Sequence, residues 1–419
     1  MTATTRYRIS RPVLLIAIIA AVMWMGASSV LPFLPVIVRE QHASYTLLGT
    51  IIGAYYVGSI IAPFPIGRLS DRVGHRRIII GALVVYLAAN AAFLLPLPTE
   101  LYVVWRLLQG LSASAAEVAS LAAIALLTPP ERRGQAYSTV TAAVSIGIAI
   151  GPVIGALYTV AGADAVFITA TAASAAALAL AIFGLHIPAG LAGKDPEAPA
   201  DASPAPVQPE RIIRRVVLGA VTVNIGWGLL IGNYDTNWTL LMQLRHAGAF
   251  AISMSWTLFA IPFGAFAWLG GWLADHRDQR TIIVTTACIG GCLSILYPYL
   301  SSYGLLLAFA PIEAVTEVLM TPSLQSIVTG VVPRDRIGTL QGVLATATNV
   351  SSAVGAVIAG ILWSFSPRYP FALAGGALVV LAIIARILWS PYKRHLLPKG
   401  PAPPYLQEGT FLTPSIPEE

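Results

Sequence analysis

The sequence predicts an all-α membrane protein: twelve transmembrane helices arranged as two pseudo-symmetric six-helix bundles. Three observations predict it: the composition, the spacing of apolar segments and the distribution of basic residues. Of 419 residues, 56% are hydrophobic and only 11% are charged, where soluble domains carry roughly 25% charged residues. The mean hydropathy is +0.75, too high over this length for one buried core. Apolar runs of about 20 residues, the length that crosses a bilayer as a helix, recur from one end to the other. Lipid offers the backbone no hydrogen bonds, so such runs are helices or closed-barrel strands. They lack the apolar–polar alternation of barrel strands.

Charges and turn residues bound the runs at 12–37, 45–66, 78–96, 100–127, 136–160, 164–186, 212–238, 250–273, 281–300, 304–330, 337–362 and 370–390. With the N-terminus inside, 21 Lys and Arg fall on the inner side and three, Arg39, Arg245 and Arg368, on the outer. This asymmetry places both termini in the cytoplasm, and the absence of organelle targeting together with the compact loops points to a prokaryotic plasma (inner) membrane. Arg6 to Arg11 and the apolar run behind them mimic a signal peptide. The run exceeds a 7–15-residue signal core, so it reads as an uncleaved first span. Between the sixth and seventh runs lie Pro188, Pro196, Pro199, Pro204, Pro206 and Pro209, a composition that builds no core. The expected organisation is a bundle over 1–187, a cytoplasmic linker over 188–211, a second bundle over 212–390 and a disordered Pro-rich cytoplasmic tail over 391–419. Cys288 and Cys292, at i and i+4 of one apolar run, read as packing residues.

The halves repeat at an offset of 204 residues. Gly67-Arg-Leu-Ser-Asp71-Arg-Val-Gly-His-Arg76 aligns with Gly271-Trp-Leu-Ala-Asp275-His-Arg-Asp-Gln-Arg280. In the same register, Pro129-Pro-Glu-Arg132-Arg-Gly134 aligns with Pro333-Arg-Asp-Arg336-Ile-Gly338. Parallel repeats joined by a linker are the plan of many carriers, with the substrate site between the halves near the midplane.

At these residues the sequence resembles the major facilitator superfamily, over almost the whole chain. The loop from Gly67 through Asp71, Arg72 and Arg76 matches the family signature between spans 2 and 3. The resemblance implies a gating role for this loop and for its repeat, Gly271, Asp275 and Arg280. Gly67 would let two helices approach closely, and Asp71 would sit at the positive N-terminus of the eleventh span. Trp105-Arg106-Leu-Leu-Gln109-Gly110 looks like the Arg motif of proton-coupled members. Gly147, Gly151, Pro152 and Gly155 are similar to the antiporter motif of exporters, which Ser138 and Ala156 depart from where glycines are expected. Small residues at this spacing also serve plain helix packing. Together these motifs most resemble the twelve-span drug:proton antiporter branch. Many of its members carry an acidic residue in span 1; this chain has none between Arg11 and Glu40, so coupling must use other carboxylates.

Ionisable groups at membrane depth are expensive and usually functional. The candidates for proton coupling are Glu117, Glu313, Glu317, Arg106 and Asp235. Arg106 and Glu117 share a helix face at about 16 Å along the axis, too far to pair but able to line one pathway; structural pairing with a neighbouring helix is the alternative. Glu313 and Glu317 lie one turn apart, where two carboxylates in low dielectric cannot both ionise cheaply. Asp235 is either functional or simply wet near the outer interface.

Asn224, Trp227, Tyr234 and Trp238 form one helical stripe, and Trp256, Phe259, Phe263 and Phe266 another. Such stripes serve packing or a ligand cavity, and Tyr234 and Trp238 could instead be interfacial anchors. With Tyr55, Trp24, Ser59 and Met23 they are the candidate substrate-binding residues, suited to an amphipathic or cationic organic molecule. The expected activity is proton-coupled export of lipophilic or amphipathic small molecules by alternating access. The alternative is a symporter or facilitator that takes up a small nutrient such as a sugar or organic acid. The six histidines lie in loops or at span ends and cluster with no Cys or paired carboxylates. No phosphate loop is present. An enzyme, a metal, a cofactor and a nucleic-acid partner are therefore not expected, and one chain suffices to form the path.

Overall fold

The computed structural model describes residues 10–129, 132–187, 209–332 and 336–391, apart from the side chains at 64, 71, 263, 264, 267, 268 and 275. Most of the expected linker and tail lie outside the described residues. Every regular element within them is helical: α1 (Arg11–Val30), α2 (Leu34–Glu40), α3 (Tyr45–Ile61), α4 (Pro63–Val73), α5 (His75–Ala92), α6 (Tyr102–Leu127) and α7 (Arg133–Gly155). There follow α8 (Tyr158–Ala179), α9 (Glu210–Leu244), α10 (Ala249–His276), α11 (Gln279–Leu296), α12 (Tyr303–Thr329), α13 (Ile337–Trp363) and α14 (Arg368–Leu388). Nine helical stretches among the described residues are long and apolar enough to cross a membrane, and α3 and the first half of α10 are shorter apolar helices.

The departures from the expected spans have local causes. The first run breaks over residues 31–33, where Pro32 and Pro35 remove backbone donors, and the second breaks at Ala62 before Pro63. The sixth begins at Tyr158 rather than 164 and bends at Gly162, whose φ of +71° is readily reached only without a Cβ. The seventh is longer than expected, running from Glu210 to Leu244.

The duplication seen in the sequence governs the packing. In the first half α1 packs on α7 and α8, α3 on α6, and α5 on α6 and α8. At the 204-residue offset, α9 packs on α13 and α14, α10 on α12, and α11 on α12 and α14. The axial contacts are backbone-close. A Cβ on Gly147, Gly151 or Gly155 would overlap α1 at Ala21, at Met25 and Ser28, and at Ser29. Gly232 and Gly355 do the same between α9 and α13. Dispersion between such surfaces holds helices together where lipid is as apolar as the side chains.

The symmetry extends to single hydrogen bonds. Arg76, at the start of α5, donates from Nε to the Leu185 carbonyl at 2.6 Å and from Nη2 to that of Ile182 at 2.7 Å. Its repeat Arg280, at the start of α11, donates to the Trp389 carbonyl at 3.4 Å. Leu185 and Trp389 are themselves one repeat apart, so each Arg caps the C-terminal end of the last helix in its half. Arg280 also pairs with Asp278 at 2.9 Å. Partial burial pushes the Asp278 carboxyl up, but hydrogen bonds from Arg280 and Thr281 prevail and hold it below the usual range.

The halves meet chiefly through α3 with α13 and α7 with α10, and more lightly through α2 and α3 with α9. The contact concentrates at one end. A Cβ on Gly49, Gly53 or Gly360 would meet the facing backbone of α13 or α3, and Tyr45 lies against Trp363 at 6.3 Å between ring centroids. Thr257 of α10 donates to the Ala149 carbonyl of α7 at 3.1 Å. Toward the other end, Gly67, Gly338 and Gly342 meet nothing within 4 Å, and Leu69, Val73 and Val343 are exposed. This corrects the expectation that Gly67 sits at a close helix approach: the halves stand apart at the end where it lies.

Removing the two charge-assisted bonds of Arg76 is expected to cost about 2 kcal/mol, in the range for hydrogen bonds from charged groups. Arg76→Ala should lower the midpoint of thermal unfolding in detergent, with Arg76→Lys, which lacks the planar fork, recovering only part. Unchanged midpoints for both would show that water satisfies these carbonyls.

Candidate functional site

Three adjoining cavities run between and within the halves. The first, of about 200 Å³, is lined by Trp227, Ile231, Tyr234, Asp235 and Trp238 of α9, Ser255, Trp256 and Phe259 of α10, and Ala310, Glu313 and Glu317 of α12. The second, of about 230 Å³, is lined by Trp24, Tyr55, Tyr56, Ser59, Arg106, Ser114, Glu117, Asp235 and Asn349, among others. The third, of about 330 Å³, lies among α1, α5, α6 and α7 with Met23, Leu83, Tyr137 and Val144 on its walls. Asp235 borders the first and second; Trp24 and Glu117 border the second and third.

The ionisable groups inside these walls have different degrees of support. Glu313 is buried and accepts hydrogen bonds from Tyr234 at 2.5 Å and Tyr297 at 2.7 Å. Two phenol donors on one carboxyl fix its orientation. Glu317, one turn on, has no hydrogen bond or ion pair among the described residues and faces the cavity. Asp235 accepts from the Tyr56 hydroxyl of α3, a bond between the halves. Arg106 is 7% exposed; its Nη1 donates to Gln109 at 3.1 Å, and its guanidinium lies over the Tyr55 ring at 4.7 Å. Gln109 passes the network to Asn90 at 2.9 Å, and Asn90 donates to Ser174 at 3.1 Å and to the Tyr86 carbonyl. Glu117 is exposed to the cavity space, without a partner among the described residues.

All five charged candidates therefore lie on connected cavity walls, with Arg106 and Glu117 on the same one. Of the substrate candidates, Trp227, Tyr234, Trp256 and Phe259 line the first cavity, Tyr55 the second, and Trp24 the second and third. Asn224 lies elsewhere: it accepts from Thr348 at 2.9 Å in the α9–α13 contact. Tyr234 and Trp238 are not interfacial anchors, because Tyr234 is bonded to Glu313 and Trp238 is buried with its Nε1 on Ser255 at 2.9 Å. Nor is Asp235 a wet outer group; it lies at the junction of two cavities. Arg72 is exposed, and the side chains of Asp71 and Asp275 lie outside those described. Gly271 meets nothing within 4 Å. Pro152 is buried within α7. Tyr56, Tyr297, Ser255 and Asn349 were not singled out from the sequence. Hydroxyl and amide side chains in long apolar runs were the only signal, and many such groups merely bond their own helix.

A helical membrane body with charged cavities between repeated halves defines a transporter of small molecules. The chain belongs to the Major Facilitator Superfamily, whose model matches residues 16–236 and 216–414. It is 25% identical over 391 residues to the tetracycline resistance protein, class E, of Escherichia coli, covering 90% of this chain and 95% of that protein. To multidrug resistance protein 2 of Bacillus subtilis it is 23% identical over 366 residues, covering 86% and 90%. Among solved structures, a peptide transporter in complex with sulfate matches with a TM-score of 0.71 at 16% identity, over 91% of this chain and 94% of that one. The human organic anion transporter matches with a TM-score of 0.62 at 17% identity, over 90% and 99%.

Tyr56→Phe removes the hydrogen bond to Asp235 across the halves. Spin labels at Gln41 and Gln243, near the closed end, are expected to gain a longer-distance population in this variant. An unchanged distance distribution would mean that glycine packing alone holds that end shut.

Proposed function

We propose that this transporter is a proton-coupled antiporter that exports lipophilic or amphipathic small molecules by alternating access. In this reading the twelve expected spans form two six-helix bundles, 1–187 and 212–390, with both termini cytoplasmic in a bacterial inner membrane. The end carrying Gly67 and Gly338 is then the cytoplasmic one, and the conformation is open toward the cytoplasm. One chain forms the whole path.

The observation that carries the reading is the chain of carboxylates along aromatic-walled cavities: Glu317 and Glu313, Asp235, then Glu117. Carboxylates inside a membrane are costly when ionised, and an organic cation or a proton relieves that cost equally well. The two therefore compete. A substrate enters from the cytoplasm, its apolar body against Trp227, Trp256 and Phe259 and its charge facing Asp235 or Glu317. Protons arriving down their gradient neutralise the same carboxylates, weaken the hold on the substrate and release it outside. Glycine contacts of α7 on α1 let the first half rock as one body. The drug-resistance names of the two relatives above support export rather than uptake.

The test uses everted vesicles with an acid-inside gradient read by a pH-sensitive dye. Lipophilic cations, neutral amphiphiles, zwitterionic tetracycline, amino acids and sugars are added in turn. One class is expected to dissipate the gradient with the wild type, and Glu117→Gln or Glu317→Gln should abolish that response. If labelled solute equilibrates while the gradient stays intact, the protein is a facilitator and these carboxylates are structural.

A further inference from the structure

The second cavity holds a charge of the opposite sign to the rest of the path. Arg106 is buried, and its fork is only partly used: Nη1 reaches Gln109, while Nε is enclosed and has no acceptor. No carboxylate forms an ion pair with it among the described residues. Glu117, on the same wall, lies three helical turns away along α6, about 16 Å by helix rise. Asp235, on the same cavity wall, is engaged by Tyr56 and lies close enough to interact with the charge of Arg106, without forming an ion pair. A buried guanidinium without a directly paired carboxylate is expensive, because desolvation costs several kcal/mol that only close pairing or full hydrogen bonding repays.

The Gln109–Asn90–Ser174 network on one side and the Tyr55 ring on the cavity wall fix the plane of the guanidinium. The same cavity is lined by Ser114 and Asn349, whose side chains form no hydrogen bond among the described residues. A planar cation oriented by supporting hydrogen bonds and bordering a cavity is the layout of an anion seat. At the far side of Asp235 the first cavity offers Glu317 and five aromatic side chains, a seat for a cation.

Resting on the transport reading above, we infer that Arg106 receives an acidic oxygen of the transported molecule. The preferred substrate is then an aromatic amphiphile carrying both a basic nitrogen and an acidic oxygen, spanning the junction at Asp235. Arg106 touches substrate rather than relaying protons.

Three probes separate the charges: naphthylalanine, with amine and carboxylate; its methyl ester, with the amine only; and naphthylpropionate, with the carboxylate only. Binding to the purified full-length protein is measured by calorimetry. Wild type is expected to bind naphthylalanine about tenfold more tightly than the ester, the scale of one charge-assisted hydrogen-bonded contact. Arg106→Gln should erase that ratio and abolish naphthylpropionate binding, while leaving the ester within about twofold of wild type. Arg106→Lys, which keeps the charge but loses the fork, should retain part of the ratio and serves if the Gln variant does not fold. Equal affinity of acid and ester for wild type overturns the inference, as does a uniform loss for all three probes in either variant. Gradient dissipation by simple lipophilic cations, with no preference for the acid, would sink the anion seat and leave the export reading standing. No binding by any probe overturns the substrate class.

Discussion

Lipid cannot form hydrogen bonds, and almost every feature of this transporter answers that constraint. It confines the chain to helices and makes each helix end and each ionisable group a local problem to be solved by a named neighbour. Arg76 and Arg280 close the last helices of the two halves. Tyr234 and Tyr297 hold Glu313; Tyr56 holds Asp235; Gln109, Asn90 and Ser174 hold one side of Arg106. What these neighbours leave unsatisfied, chiefly Glu317, Glu117 and the free edge of Arg106, faces the cavities. These groups, which the fold leaves unsatisfied, are available to a passing solute.

The same constraint explains the division of labour between glycines and aromatics. Close axial contacts, α1 on α7 and α9 on α13, use Gly147, Gly151, Gly232 and Gly355, since only backbone-to-backbone approach gathers enough dispersion in lipid. Bulk is displaced to the cavity walls. There Trp227, Trp256 and Phe259 offer apolar area beside the carboxylates of the same cavity.

Much of this was legible in the sequence. The 204-residue repeat gave the pairing of the halves, because a duplicated chain must repeat its contacts. The rarity of charge in apolar runs singled out Arg106, Glu117, Asp235, Glu313 and Glu317, and each borders a cavity. Less legible were the partners. Nothing in the spacing says that Tyr297, placed near a span end, reaches Glu313, or that Tyr56 crosses to Asp235. Such bonds depend on helix rotation and on which end of the molecule is closed. Gly67 shows the same limit: its motif was recognisable, but its packing depends on a conformation the sequence does not select. Asn224 sat on the right stripe and still faced α13, because a helical stripe wider than the cavity also covers the neighbouring helix.

The Arg caps bear on how the protein is made. Arg76 and Leu185 are 109 residues apart, as are Arg280 and Trp389, and each bond ties the start of a half's third helical rod to the close of its last. The first such ring can close before the second half has left the ribosome. Each half thus carries its own tie from its third rod to its last, and neither half depends on the other to form it.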